Sequence, residues 1–169
     1  PYDVSYRDHY HVQYQWDRAY YQGRYYAYFG AVPIILTLLP FKLLTGENLP
    51  IIFAALMFAL AAVAGLFALT RTIVTSFFPE APFGALILAI LGVIAVSSVP
   101  WALRRSLIYE LSTLSGIAFA IWGVLLTLRT VLTLRDDHAP SHGALIRIAI
   151  GSLLAGGFSA LAVGCRPTM

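Results

Sequence analysis

Hydrophobic and polar positions divide this 169-residue chain into two unequal parts. Residues 1–27 interleave aromatic and polar side chains, and from residue 28 onward long apolar runs are separated by short polar breaks. The runs cover 28–44, 50–70, 82–103, 106–134 and 144–164. An apolar run of about 20 residues is the length of a helix that crosses a hydrocarbon core of about 30 Å. The run 50–70 carries no charge and is closed by Arg71, with TSFFPEAP read as the loop behind it. The run 82–103 has Pro100 near its end and Trp101 at an interface depth, just before Arg104 and Arg105. The run 106–134 would make a helix of about 43 Å, so it must tilt or project from the bilayer.

The first run is the doubtful one. Its apolar part, 29–44, would be about 24 Å long as a helix, and it contains Pro33 and Pro40. Pro40 interrupts the backbone hydrogen-bond ladder. The run spans only if its helix begins in the arm, near Tyr20, with Pro33 at a kink. Otherwise it is re-entrant or interfacial. These patterns predict an all-α integral membrane protein of four to five transmembrane helices with an aromatic, interfacial N-terminal arm. The arm is 1–27 and the bundle 28–169.

The arm has its own period. Tyr2, Tyr6, Tyr10 and Tyr14 recur every four residues, and Tyr21, Tyr25 and Tyr28 follow at helical spacing. Asp3, Asp8 and Asp17 balance Arg7, Arg18 and Arg24. The expectation is a helix over 12–28 in the headgroup layer, weakened by Gly23. Tyr and Trp suit that layer because each ring has an apolar body and a polar tip. Tyr14, Trp16, Arg18, Tyr21, Arg24 and Tyr25 are the expected contacts with a neighbouring subunit or with lipid.

Composition agrees with a lipid solvent. The chain is 59% hydrophobic and 11% charged, against roughly 25% charged in soluble domains. Its net charge of +3 is spread over the ends of apolar runs, which excludes the clustered basic face that nucleic acid requires. The single cysteine, Cys165, allows no internal disulfide and no cysteine-based metal centre. His9, His11, His138 and His142 all lie outside the spans, so no axial haem ligand is expected at membrane depth. Neither a cofactor nor a metal is expected. The chain opens on Pro1. A removed presequence would account for that and fit import into an organelle, and residues preceding Pro1 would account for it equally.

Three groups of residues remain as candidates. Glu110 is the lone acid inside an apolar run, and such carboxylates relay protons or bind ions. The plainer expectation pairs it with Arg104 or Arg105 or with a neighbouring subunit. Arg129, Arg135 and Arg147 flank the turn holding Asp136 and Asp137. They can snorkel to the interface, meet those aspartates, or grip the phosphate of an anionic phospholipid. Ser152, Gly156, Ala160 and Gly164 recur every four residues, with Gly151, Ala155 and Ser159 alongside. This small-xxx-small spacing lets helix backbones approach closely, within the chain or against another.

No nucleophile elbow, phosphate loop or zinc-protease motif is present. The expected function is therefore a non-enzymatic accessory subunit of a hetero-oligomeric membrane complex, a respiratory-chain (electron transport) assembly first among them. The partners would be other membrane subunits and anionic phospholipid. One alternative is a small oligomeric transporter or channel using Glu110. Another is a membrane anchor contributing to a quinone site shared with another chain. The expected location is the mitochondrial inner membrane, with a bacterial plasma membrane as the alternative. If all five runs cross, the arm shares a side with Arg71 and Arg135.

Overall fold

In the computed structural model the described residues are 19–21, 24–26, 30–105, 108–136 and 142–165. Within the arm, Ala19–Tyr21 (β1) and Arg24–Tyr26 (β2) pair antiparallel, with Tyr20 opposite Tyr25 and Tyr21 opposite Arg24. These six residues of the expected helix over 12–28 are thus extended, and the others of that stretch lie outside the described residues. Tyrosine favours strands. Residues 1–18, with Tyr14, Trp16 and Arg18 among them, lie outside the described residues.

From residue 32 the backbone is helical, and prolines decide where each helix stops. Ile34–Leu38 is a widened π turn, in which the Leu39 N–H bonds back to the Ile34 carbonyl. It runs directly into α1 (Leu39–Thr45), whose second residue is Pro40. The wider turn accommodates a residue that has no N–H and crowds the preceding turn. Gly46, at φ 77°, closes α1 in the left-handed conformation that glycine adopts without penalty.

Next come α2 (Ile51–Phe77) and α3 (Phe83–Val96). Contrary to expectation, α2 does not end at Arg71 but runs six residues further, to Phe77. Arginine is a good helix former, and Thr72 and Thr75 donate back to the Ala68 and Arg71 carbonyls. The stop is Pro79, which drives Phe78 out of the helical region, to φ −134° and ψ 61°.

The expected 82–103 span is not one helix. It breaks at Ser97, at ψ 153°, and resumes as α4 (Val99–Arg105). A continuous helix would press the Pro100 ring against the Val96 carbonyl and lose a hydrogen bond. The break places Pro100 in a first turn, where no N–H is needed. Ser97 Oγ donates to the Ile94 carbonyl at 2.7 Å and so satisfies the end of α3. Two long helices follow, α5 (Ile108–Asp136) and α6 (His142–Cys165), close to the expected runs.

The packing is centred on α5, which lies between α2 and α6. Phe58 meets Phe119 edge-on at 5.7 Å, and Trp122 Nε1 donates to the Ala61 carbonyl at 3.0 Å, so α2 and α5 run parallel. Ser112 reaches Cys165, Gly123 meets Ser159, and Gly151 meets Thr130, so α5 and α6 run antiparallel. The segment between α2 and α5 must therefore return along their whole length, and α3 with α4 supplies that return. Many large apolar side chains lie on the outside, Met57, Leu60, Leu88 and Leu153 among them. Three helices, α2, α5 and α6, are long and apolar enough to cross a membrane, and the shorter apolar helices accompany them.

The first apolar run turns back. Gly30 packs against the backbone of Gly164 and Cys165, at the end where α6 finishes. Leu49 and Ile51 lie on the same buried cluster, where α2 starts. The run thus leaves from and returns to one end of the bundle, as an interfacial or re-entrant segment does.

Two glycines separate a close approach from an open one. A methyl group on Gly30 would overlap the Gly164 and Cys165 backbone, whereas one on Gly156 would meet nothing within 4 Å. Gly30→Ala is expected to lower stability in a detergent unfolding titration by about 1–3 kcal/mol. Gly156→Ala is expected to be neutral or to raise stability by up to about 1 kcal/mol.

Candidate functional site

At the end of the bundle where Gly30 packs, a small polar group is sealed inside apolar packing. Glu110, Ser112 and Ser115 are the buried polar side chains among the described residues. All three lie on the first two turns of α5, whose neighbouring positions Leu111 and Leu114 face the core. Ser112 donates its hydroxyl to the Cys165 carbonyl at the end of α6. That carbonyl belongs to the last turn of α6 and has no partner within its own helix. Ser115 donates to the Ser112 carbonyl at 3.0 Å, and its hydroxyl also meets the Cys165 side chain. A hydroxyl ladder thus ties α5 to α6 at the level where Gly30 packs.

Glu110 differs from its neighbours. It is only 2% exposed, and its Oε2 has no hydrogen-bond partner. Of the two arginines expected to pair with it, Arg104 is exposed and forms no ion pair with it, and the side chain of Arg105 lies outside the described residues. A buried carboxyl oxygen without a donor costs about 1–3 kcal/mol, more if ionised. Side chains left in that condition in a lipid solvent are candidates for a bound proton, a bound cation or a partner's donor. No group of three or more histidine, cysteine or acidic side chains that could hold a metal ion occurs among the described residues.

The seam between α5 and α6 is close-packed on one side and grooved on the other. A methyl group on Gly123 would come within 2.9 Å of Ser159 Oγ, and Gly151 is similarly filled by Thr130. A groove of about 450 Å³, lined by Thr113, Gly116, Ala120 and Val163, opens along the seam, and a second of about 340 Å³ follows at Val124, Thr127 and Ser159.

The small residues of α6 therefore split into two faces. Gly151 and Ala155 close the internal seam, and Ser159 meets Gly123 at its exposed edge. Ser152, Gly156 and Ala160 point outward and are exposed, while Gly164 packs against Val32. The four-residue spacing identified both faces, and only the fold distinguishes them.

Arg129, Arg135 and Arg147 are exposed at the far end of the bundle. Arg147 turns back on its own helix, with Nε 3.4 Å from the Gly143 carbonyl. Parallel packing of α2 on α5 brings Arg71 to the same end, as the alternation of runs in the sequence also implied. Tyr21, Arg24 and Tyr25 lie on the hairpin strands. Comparison of the chain with protein-family models, with curated proteins and with solved structures finds no match.

Proposed function

We propose that this chain is a non-catalytic subunit of a larger membrane complex, crossing the bilayer four times through α2, the broken α3–α4 unit, α5 and α6. The observation that carries this reading is the outward face of α6. Gly156 and Gly157 sit in a helix with open space beside them, where each costs about 1 kcal/mol relative to alanine. Nothing inside the bundle requires a glycine at either position. A neighbouring helix approaching closely would offset that cost. The aromatic arm supports the same reading, because tyrosine, tryptophan and arginine are the residue types that anchor interfaces. A respiratory-chain assembly is the class of complex proposed, with the mitochondrial inner membrane or a bacterial plasma membrane as its location.

Glu110 favours a second reading, a small transporter or channel. Its unpartnered buried oxygen lies in the same apolar cluster region as the N-terminal turns of α2 and α5, where a proton or cation would complete it.

Removal of residues 1–26 is expected to release the protein from its complex while leaving an inserted bundle, read by co-purification in mild detergent. Stoichiometric co-purification of the truncated chain would sink the anchoring role. The second reading is checked by proton or monovalent-cation flux in liposomes holding the purified chain. Flux that Glu110→Gln abolishes establishes it, and no flux from the wild-type chain removes it.

A further inference from the structure

Four arginines from three separate helices fall in one narrow layer at the far end of the bundle. The helix register sets their levels. Trp122 lies level with Ala61 through its indole hydrogen bond, and Thr130 lies level with Gly151. Measured from Trp122, Arg129 is seven residues further along α5 and Arg135 thirteen. Arg71 is ten residues beyond Ala61 on α2, and Arg147 lies four residues beyond the Gly151 level on α6, twelve from Trp122. At about 1.5 Å per residue, this places all four within a band about 9 Å deep.

All four side chains are exposed, and none forms an ion pair with another described residue. On the midplane side of the band the same helices expose Phe67, Val124 and Leu154. Beyond it lie the turn with exposed Glu80 and, next in sequence to Arg135, Asp136 and Asp137. A cationic layer above an apolar girdle has the polarity of one lipid leaflet, with phosphates over acyl chains. At the opposite end Lys42, Arg104 and Arg105 are joined by Glu47 and by buried Glu110.

We propose that this arginine band is a binding surface for anionic phospholipid headgroups. The guanidinium groups grip lipid phosphate, with acyl chains lying on the exposed apolar side chains beneath. Arginine suits the task because its planar fork offers two parallel hydrogen bonds to a phosphate. Charge complementarity selects anionic over zwitterionic lipid, since each basic side chain near a negatively charged leaflet adds attraction. The proposal does not depend on the chain being a subunit of a complex.

The test is lipid adduct formation by the purified full chain in detergent, read by native mass spectrometry. Dioleoylphosphatidylglycerol is compared with dioleoylphosphatidylcholine, with inorganic phosphate as a third arm. The wild-type chain is expected to retain the anionic lipid at least about tenfold more tightly than the zwitterionic one, given about fivefold per arginine. Free phosphate is expected to compete weakly. The triple variant Arg71→Gln/Arg129→Gln/Arg147→Gln should lose that preference, and Arg104→Gln at the other end should keep it.

Unchanged anionic binding in the triple variant would overturn the proposal. So would equal retention of both lipids by the wild type, an equal loss in Arg104→Gln, or phosphate binding as tight as the lipid. Should the triple variant fail to insert, Arg129→Gln and Arg147→Gln singly carry the same comparison. Each is expected to weaken the anionic adduct about fivefold, and no change in either would overturn the proposal.

Discussion

Close backbone contact between α5 and its two neighbours is the constraint on which the rest of the bundle depends. In a lipid solvent, burying leucine against leucine brings little advantage, because acyl chains are equally apolar. Helices associate where their surfaces fit and where polar groups find partners. Gly65 admits Ile121 and Trp122 of α5, and Gly123 and Gly151 admit Ser159 and Thr130 across the other seam. Cross-helix hydrogen bonds add to these contacts, one beside Gly65 and one near the start of α5. Trp122 donates to Ala61, and Ser112 donates to Cys165. Bonds of this kind in membranes contribute about 0.6 kcal/mol each, so shape carries most of the cohesion. The aromatic cluster of Phe58, Phe119, Trp122 and Phe158 then fills the space where all three helices meet.

Proline governs the remaining shape. Pro40 stands just behind a π turn, Pro79 ends α2 and Pro100 splits the return between α3 and α4. Each lies where a continuing helix would lose an N–H donor and meet a carbonyl. The consequence for the membrane is that the first apolar run folds back, while the return from α2 to α5 is made in two pieces. Parallel packing of α2 on α5 then gathers Arg71 with Arg129, Arg135 and Arg147, and leaves Glu110 buried at the other end.

The helical, lipid-solvated character of the chain was legible from its apolar runs, because the length of an uninterrupted run is itself the physical requirement for crossing. The long helices match those runs to within a few residues, except that Arg71 does not stop α2. An exposed arginine near a helix end can snorkel, so charge alone is a poor stop signal. The tyrosine repeat at 21, 25 and 28 suggested a helix, but a four-residue spacing of strand-favouring side chains around Gly23 is also compatible with a hairpin. The break at Ser97 was less visible still. Pro100 was plain in the sequence, yet only its effect on residue 96 shows where the helix must yield. The two faces of α6 were indistinguishable without a partner helix to define the inside. Glu110 was singled out by charge alone, and its missing hydrogen-bond partner became visible only once α5 was packed.

The central claim is architectural: α2 and α5 cross in the same direction, so residues 83–105 return across the membrane and the first apolar run does not. Sided cysteine labelling tests it directly. Single substitutions Glu47→Cys, Glu80→Cys, Arg104→Cys and His142→Cys, each in a Cys165→Ala background, are exposed to an impermeant maleimide in sealed vesicles of uniform orientation. Positions 47 and 104 are expected to react from one side, and positions 80 and 142 from the other. Reaction of positions 80 and 104 from the same side would contradict the account.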